Sequence, residues 1–260
     1  MKITTWNING VKARLEAALA YLKQESPDVI CLQEIKSVDE GFPREAFEEI
    51  GYNVETHGQK GFNGVALLSK MKLDDVTRGL PGDDSDPQSR YIEALVPIGR
   101  SAIRVASIYL PNGNPIGTGK FTYKLAWMKR LKAHASTLLS DGTPLVLAGD
   151  FNVIPEPQDA KRPEAWVNDA LFQPESRRAF RALLNLGLTD AIRATHPEGG
   201  IYTFWDYQAG AFQKNDGIRI DHLLLSADAA DRMTAAGIDK HVRSWDKPSD
   251  HVPAWVELKT

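Results

Sequence analysis

Six apolar segments of this sequence run into residues that can bind metal or phosphate. Lys2–Trp6 ends in Asn7 and Asn9, and Asp28–Leu32 ends in Gln33 and Glu34. Ile103–Ile108 reaches Tyr109, then Pro111, Asn112 and Gly113. Leu145–Gly149 ends in Asp150 and Asn152, Ile218–Ile220 leads to Asp221, and Ser249, Asp250 and His251 open the last apolar stretch. Oxygen donors from Asn, Glu and Asp suit a hard cation such as Mg²⁺. Such a cation works on phosphate substrates by neutralising developing charge. Asp150 could take a proton from water, and Asp221 with His251 could present a donor to phosphate. Taken singly, each of these residues also fits an ordinary turn. Spacing alone therefore reaches metal-dependent phosphate chemistry and no further.

The elements that must position these residues are mostly short strands. Strand signals cover Lys2–Trp6, Asp28–Leu32, Gly64–Leu68, Tyr91–Val96, Ile103–Tyr109, Pro144–Ala148, Tyr202–Trp205, Ile218–Leu225 and Val252–Leu258. Helical periodicity places Val11, Leu15, Ala18, Leu19 and Leu22 on one face, closed by Pro27. Leu125, Met128, Leu131, Ala135 and Leu138 mark a long helix ending near Gly142, and a third helix covers Pro174 to Leu186. Several strand connections are too short for a crossover helix, which a purely parallel doubly wound sheet needs after each strand. A pair of mixed sheets with helices outside fits, as one domain over residues 1–260. Two polar stretches, Gly79–Pro87 and Pro155–Arg178, read as surface segments.

Composition sets the class. Of 260 residues, 42% are hydrophobic and 25% charged, which excludes disordered and low-complexity chains. The formal charge of −3 does not announce a nucleic-acid binder, although a local basic face would suffice for one. The single cysteine, Cys31, sits in an apolar run and reads as inert core in a reducing compartment. The polar N-terminus and the lack of any long apolar run point to a cytoplasmic chain with no membrane element. The tryptophans Trp127 and Trp166 read as packing residues, and the other histidines as surface or packing residues.

Resemblance sharpens this. The segments WNINGVKAR (6–14), PDVICLQEIK (27–36), YNVETHGQKGFNGVALLSK (52–70), YLPNG (109–113), GDFNV (149–153), FWDY (204–207), GIRIDHLLLS (217–226) and KPSDHVPAW (247–255) occur in order along the whole chain. Together they resemble the exonuclease III family of abasic endonucleases, within the endonuclease/exonuclease/phosphatase superfamily. LQE, GDFN and SDH are superfamily motifs; HGQKGFNGVA, GIRID and KPSDH point to exonuclease III. The resemblance implies an α/β, DNase-I-like fold: a four-layered sandwich of two mixed β-sheets flanked by helices. It implies Mg²⁺ as cofactor, with Mn²⁺ as a substitute. It further implies a monomeric enzyme of base-excision repair acting on double-stranded DNA, cutting 5′ of abasic sites and degrading 3′ ends.

Roles follow by position. Glu34 matches the principal metal ligand, with Asn7 close by and Asp250 a further acidic ligand. Asp150 matches the residue that orients or deprotonates water, and Asn152 a phosphate-contacting residue; both also count among the metal-site residues. Tyr109 matches the tyrosine at the scissile phosphate, and His251 with Asp221 the phosphate-binding pair. Arg90 and Asn112 are expected at the substrate, and Phe204, Ile218 and Ile220 in an apolar pocket for the bare sugar. Asn9 stands where some relatives carry Asp, which throws more of the metal affinity onto Glu34 and Asp250. Ile218 replaces Trp or Leu of some relatives, and the 155–178 stretch varies in length, so its contacts do not transfer.

DNA binding must overcome the acidic total. Residues 161–181 carry Lys161, Arg162, Arg177, Arg178 and Arg181 against Glu164, Asp169 and Glu175, and Lys36, Lys60, Arg90 and Lys120 lie near the motifs. Two other readings compete: a non-catalytic RNA-binding regulator of the catabolite repression control type, and a superfamily phosphatase acting on inositol lipids or sphingomyelin. The complete set of catalytic positions opposes the first. The GIRID segment and the lack of a membrane element oppose the second.

Overall fold

The computed structural model describes residues 1–99 and 101–260. In chain order its elements are β1 (Lys2–Asn7), α1 (Leu15–Glu25), β2 (Val29–Gln33), α2 (Arg44–Glu48), β3 (Asn53–His57), β4 (Val65–Ser69), β5 (Asp74–Arg78), β6 (Tyr91–Ile98) and β7 (Ser101–Tyr109). They continue with α3 (Gly119–Ser140), β8 (Leu145–Asp150), α4 (Pro174–Leu184), β9 (Thr189–Asp190), α5 (Ala191–Thr195), β10 (Asp221–Leu225), α6 (Ala227–Asp231), β11 (Met233–Ile238) and β12 (Ala254–Leu258).

The strands form two six-stranded sheets, ordered β11-β12-β1-β2-β4-β3 and β5-β6-β7-β8-β10-β9. Each is mixed: β1–β2 and β7–β8 are parallel, and the remaining pairs antiparallel. The two parallel pairs are bridged by the helices α1 and α3, as a crossover requires. The second sheet repeats the order of the first with every strand advanced by half the series. The last two strands of each half of the chain thereby complete the sheet of the other half.

Strand chemistry explains the layering. The central strands β2, β4 and β8 are buried on both faces and read as unbroken apolar runs. Ile3, Val29, Cys31 and Leu67 of the first sheet meet Ile92, Val105, Val146 and Leu223 of the second in a shared core. Outside the first sheet, Ala18, Tyr21 and Leu22 of α1 cover Trp6, Ile30 and Leu32. Outside the second, Trp127, Met128 and Leu131 of α3 and Phe180 of α4 cover Leu145, Leu147 and Phe151. The result is the expected four-layered sandwich. Helix α1 ends where Ser26 turns left-handed at φ 48° before Pro27.

Two expected strands come out differently. Tyr202–Trp205 makes only isolated bridges, from Phe204 to Ile218 and to His251. The segment from Ile218 is regular only from Asp221 onward. The chain there serves two neighbours, because Ile220 and Asp221 also hand their N–H groups to the Thr203 hydroxyl, each at 3.2 Å.

Candidate active site

All the strand ends picked out by sequence converge on one edge of the sandwich. β1 delivers Asn7, β2 runs into Glu34, β7 ends at Tyr109 and β8 at Asp150, while β10 begins at Asp221. The last segment is tied in by Ser249, whose hydroxyl donates to the Asn7 carbonyl at 2.7 Å, and by the Trp6 indole, which donates to the His251 carbonyl at 3.2 Å. Beneath the edge, buried Gln33 joins the sheets: it accepts from the Thr5 hydroxyl at 3.2 Å and donates to that of Ser107 at 3.0 Å.

The backbone turns sharply to aim these side chains. Asn9, Glu34 and Asn152 are left-handed, with φ of 48°, 48° and 47°. For a side-chain-bearing residue this costs about 1–2 kcal/mol, so the surroundings must hold it. The Glu34 carbonyl accepts from Gly10 N–H at 2.7 Å, and the Asp150 carboxylate accepts from Asn152 N–H at 2.9 Å. Gly149 lets β8 approach β7 closely: a Cβ there would lie 2.0 Å from the Ile108 carbonyl oxygen.

Asn7 sits between the two central acids. Its amide nitrogen donates to Glu34 Oε1 at 2.9 Å and to Asp150 Oδ2 at 3.0 Å. Glu34 also pairs with the Lys36 ammonium at 3.0 Å. Burial alone would raise the Glu34 carboxyl; the Asn7 amide and the Lys36 charge outweigh it and hold it below its ordinary value. Asp150 is pushed up to about 7, chiefly by burial, with His251 opposing and Asp221 reinforcing the rise. His251 Nδ1 lies 2.8 Å from Asp221 Oδ2, and its Nε2 lies 3.8 Å from Asp150 Oδ2. Burial would lower this imidazole, but the two carboxylates raise it to about 10. His251 is therefore an imidazolium at neutral pH. Tyr109, buried and next to Glu34 and Asp150, is held as the neutral phenol.

A cavity of about 230 Å³ opens onto this cluster. Glu34, Tyr109, Asn112, Asp150, Asn152, Asp250 and His251 line its polar side, and Trp166, Leu171, Phe204 and Ile220 its apolar side. The expected apolar trio is divided: Phe204 and Ile220 face this cavity, whereas Ile218 faces a neighbouring one. The split follows from local pairing, since Ile218 is bridged to Ala160 and Phe204 while Ile220 lies against β8. Arg90 is not among the lining residues. Its guanidinium lies 4.8 Å from the Tyr109 ring centre and donates to the Tyr109 carbonyl at 3.2 Å, so it backs Tyr109. Trp127 is core, and Trp166 packs against the cluster of Ile154, Leu171 and Ile218 while one side of it lines the cavity. The stretch around it carried no transferable pattern.

Residues 4–251 match the model of the Endonuclease/Exonuclease/phosphatase family. The chain belongs to this family. It is 36% identical to the exodeoxyribonuclease III of Haemophilus influenzae, with all of both chains covered. A Neisseria 3′ phosphatase solved bound to a product DNA hairpin is 38% identical, with a TM-score of 0.96 over all of both chains. An AP endonuclease from Archaeoglobus fulgidus is 35% identical, with a TM-score of 0.94 and the same coverage.

Two buried charged residues of this endonuclease/exonuclease/phosphatase chain escaped sequence reasoning. Lys124 of α3 is wholly buried, and its ammonium donates to the backbone carbonyls of Asn112, at 3.0 Å, and Asn152. Burial brings it down to about 7, with Asp150 and Asp169 pulling upward. The signal was present: Lys124 shares the helical face of Trp127, Met128 and Leu131. Arg219, the arginine of GIRID, points away from the cavity. It binds Asp159 Oδ1 at 2.7 Å and both oxygens of Asp190 at 2.8 and 3.0 Å, while Arg193 adds a second cation to Asp159. It also faces His222 Nδ1 at 3.1 Å, and His222 Nε2 lies 3.0 Å from the Val153 carbonyl. That arrangement fits a neutral imidazole donating from Nε2, and burial followed by the Arg219 charge lowers His222 to about 4. The clasp fastens the 155–161 segment and β9 to the strand that carries Ile218, Ile220 and Asp221.

Proposed function

We propose that this chain is a metal-dependent deoxyribonuclease of the exodeoxyribonuclease III type. It hydrolyses phosphodiester bonds of double-stranded DNA, cutting 5′ of abasic sites and trimming 3′ ends. The observation that carries this reading is the single cavity in which Asp150, the His251–Asp221 pair and Glu34 meet an apolar wall. The likeness to the Haemophilus exodeoxyribonuclease III and the Archaeoglobus AP endonuclease supports it. The chain acts as one unit over residues 1–260, since its first and last strands pair.

The donor set fits a hard cation. Carboxylates of Glu34, Asp150 and Asp250 and the amide of Asn152 line one cavity. Asp150, Asp221 and His251 also bring ligand atoms within 4.8 Å of one another. The imidazolium already neutralises that corner, which leaves the Glu34 side, with Asn7 and Asp250, for the metal. Mg²⁺, or Mn²⁺ in its place, would there neutralise charge on the phosphate and leaving oxygen.

The protein's own groups do the rest. His251 donates from Nε2 to a non-bridging phosphate oxygen, with Asp221 fixing the ring through Nδ1. Asp150, near neutral in pKa, accepts a proton from the attacking water. Tyr109 offers a hydroxyl that stays protonated. Phe204 and Ile220 exclude water from the sugar side and admit a sugar without its base. No covalent intermediate is needed.

The test is direct. Duplexes with an abasic site, a blunt 3′ end or a 3′-phosphate are incubated with the protein, with and without Mg²⁺. Mg²⁺-dependent incision at the abasic site and nucleotide release from the 3′ end are expected. Binding without cleavage of any of the three would overturn the reading.

A further inference from the structure

The cavity at the catalytic cluster is small for an enzyme that releases whole nucleotides. Its volume of about 230 Å³ is below the range of about 300–1,000 Å³ that small-molecule ligands usually occupy. A sugar and its phosphate fit that scale; the attached base adds more. A second cavity of about 350 Å³ lies beside it, and Trp166, Asp169 and Phe204 line both.

The two cavities differ in chemistry. The first sets the His251 ring and the side-chain amides of Asn112 and Asn152 beside the carboxylates Glu34, Asp150, Asp169 and Asp250, a set that takes phosphate together with a cation. The second carries the carboxylates Asp169, Asp206 and Asp216 against one cation, Arg162, which is already paired with Asp216. Its apolar surface comes from Trp166, Phe204 and Ile218, and aromatic faces accept any base by stacking. Asp169 Oδ1 is committed to Asn114 at 3.0 Å and to Leu171 N–H at 2.9 Å. Asp206 uses Oδ1 for Gln208 N–H at 2.8 Å, and Asp216 uses Oδ2 for Arg162, each carboxylate having a second oxygen to offer an exocyclic amino group.

We propose that this second cavity seats the nucleobase of the 3′-terminal nucleotide while its phosphodiester bond lies at Asp150 and His251. The proposal rests on the exonuclease reading above. A terminal base has one stacking neighbour and costs less to turn out than an internal one. In abasic incision the second cavity has no base to receive. Phe204 and Trp166 thereby serve two substrates: they close around a bare sugar in one, and pass the base between the cavities in the other.

Filling the second cavity tests this. Ala165 lines it and is exposed, so Ala165→Phe occupies the space without disturbing the core. Two blunt duplexes are compared that differ only at the 3′-terminal residue, one with its base and one with tetrahydrofuran in place of the nucleoside sugar and base. Release of that residue is followed under single-turnover conditions. Ala165→Phe is expected to slow the base-bearing end by about tenfold, the scale of one lost stacking contact, and to leave the tetrahydrofuran end unchanged. Gln208→Trp, on the exposed 206–210 loop, should reproduce the pattern. Equal slowing of both ends, or of neither, in both variants overturns the proposal alone. A parent protein inactive on both ends overturns the exonuclease reading as well.

Discussion

Asp150 and Asp221 are register partners across the antiparallel pair β8–β10, and one imidazole, His251, spans them. Two carboxylates at adjacent positions of a buried ladder would repel each other. The imidazolium between them resolves this and divides their work. Asp221 holds Nδ1 at 2.8 Å, and Asp150 lies farther from Nε2, at 3.8 Å, its Oδ2 accepting from the Asn7 amide and its Oδ1 from Asn152 N–H.

Asp221→Asn removes the first carboxylate that raises His251. The imidazolium should then deprotonate at lower pH, and the alkaline limb of the single-turnover pH–rate profile should move down by at least about one unit. An alkaline limb that stays in place argues against the pairing. The same shift affects stability. His251 is raised from 6.5 to about 10, so its contribution is complete below pH 6.5 and lost as pH climbs toward 10. Asp221→Asn should flatten that alkaline loss in denaturant titrations.

Glu34 and Asp150 should separate in their response to metal. Glu34→Ala removes a ligand and frees Lys36, so activity should fall and return in part with excess Mg²⁺. Asp150→Asn should retain DNA binding while losing about 10²- to 10⁴-fold in the chemical step, with no rescue. Near-normal single-turnover cleavage by Asp150→Asn would remove it from the role of base.

The apolar wall of the catalytic cavity should set lesion preference. Phe204→Ala and Ile220→Ala are expected to narrow the ratio of abasic incision to cleavage of undamaged duplex. Ile218→Ala, facing the neighbouring cavity, should leave that ratio alone. If Phe204 were only packing, its truncation would cost about 3–5 kcal/mol and spare the ratio. Measured below each variant's melting temperature, an unchanged ratio in Phe204→Ala rejects the pocket role.

The Arg219 clasp makes an acid-side prediction. His222 is lowered from 6.5 to about 4, so the unfolded chain binds its proton first as pH falls. The stability it contributes is complete above pH 6.5 and lost between there and about 4. Asp190, held below its ordinary value despite burial by Arg219 and His222, adds a further loss at lower pH. Arg219→Met leaves Asp190 without its cation and Asp159 with Arg193 alone, and should cost about 3–5 kcal/mol. A denaturation midpoint within error of the parent would show that the clasp is energetically idle.

The central strands were legible and the edges were not. β3, β5, β9 and β11 had no sequence signal, and they are the four edge strands of the two sheets. An edge strand such as β5, Asp74–Arg78, is exposed or half-buried throughout, so it lacks the apolar alternation that marks a covered strand. Most of the polar residues that meet at the cavity were legible because they follow apolar runs, while Asp250 and His251 open one. Lys124 and Arg219 were hidden for the opposite reason: charged residues read as solvated, and only the carbonyls and carboxylates around them make burial tolerable. Trp166 packs as read, and its cavity-lining side was hidden because its neighbours lie in irregular chain, where periodicity says nothing about direction.

The exchange of strands between the two halves has a consequence for synthesis. β1 emerges first from the ribosome, yet its partner β12 arrives last, and His251 comes only shortly before it. Until then β1 has one side of its ladder open and Asp150 lacks its imidazolium. A chain interrupted just before residue 251 therefore carries Glu34, Asp150, Asp221 and Asp250 and lacks the imidazole that spans Asp150 and Asp221. In such a chain the two register-paired carboxylates Asp150 and Asp221 face each other with no cation between them, so this corner of the site can close only when the last strand pairs with the first.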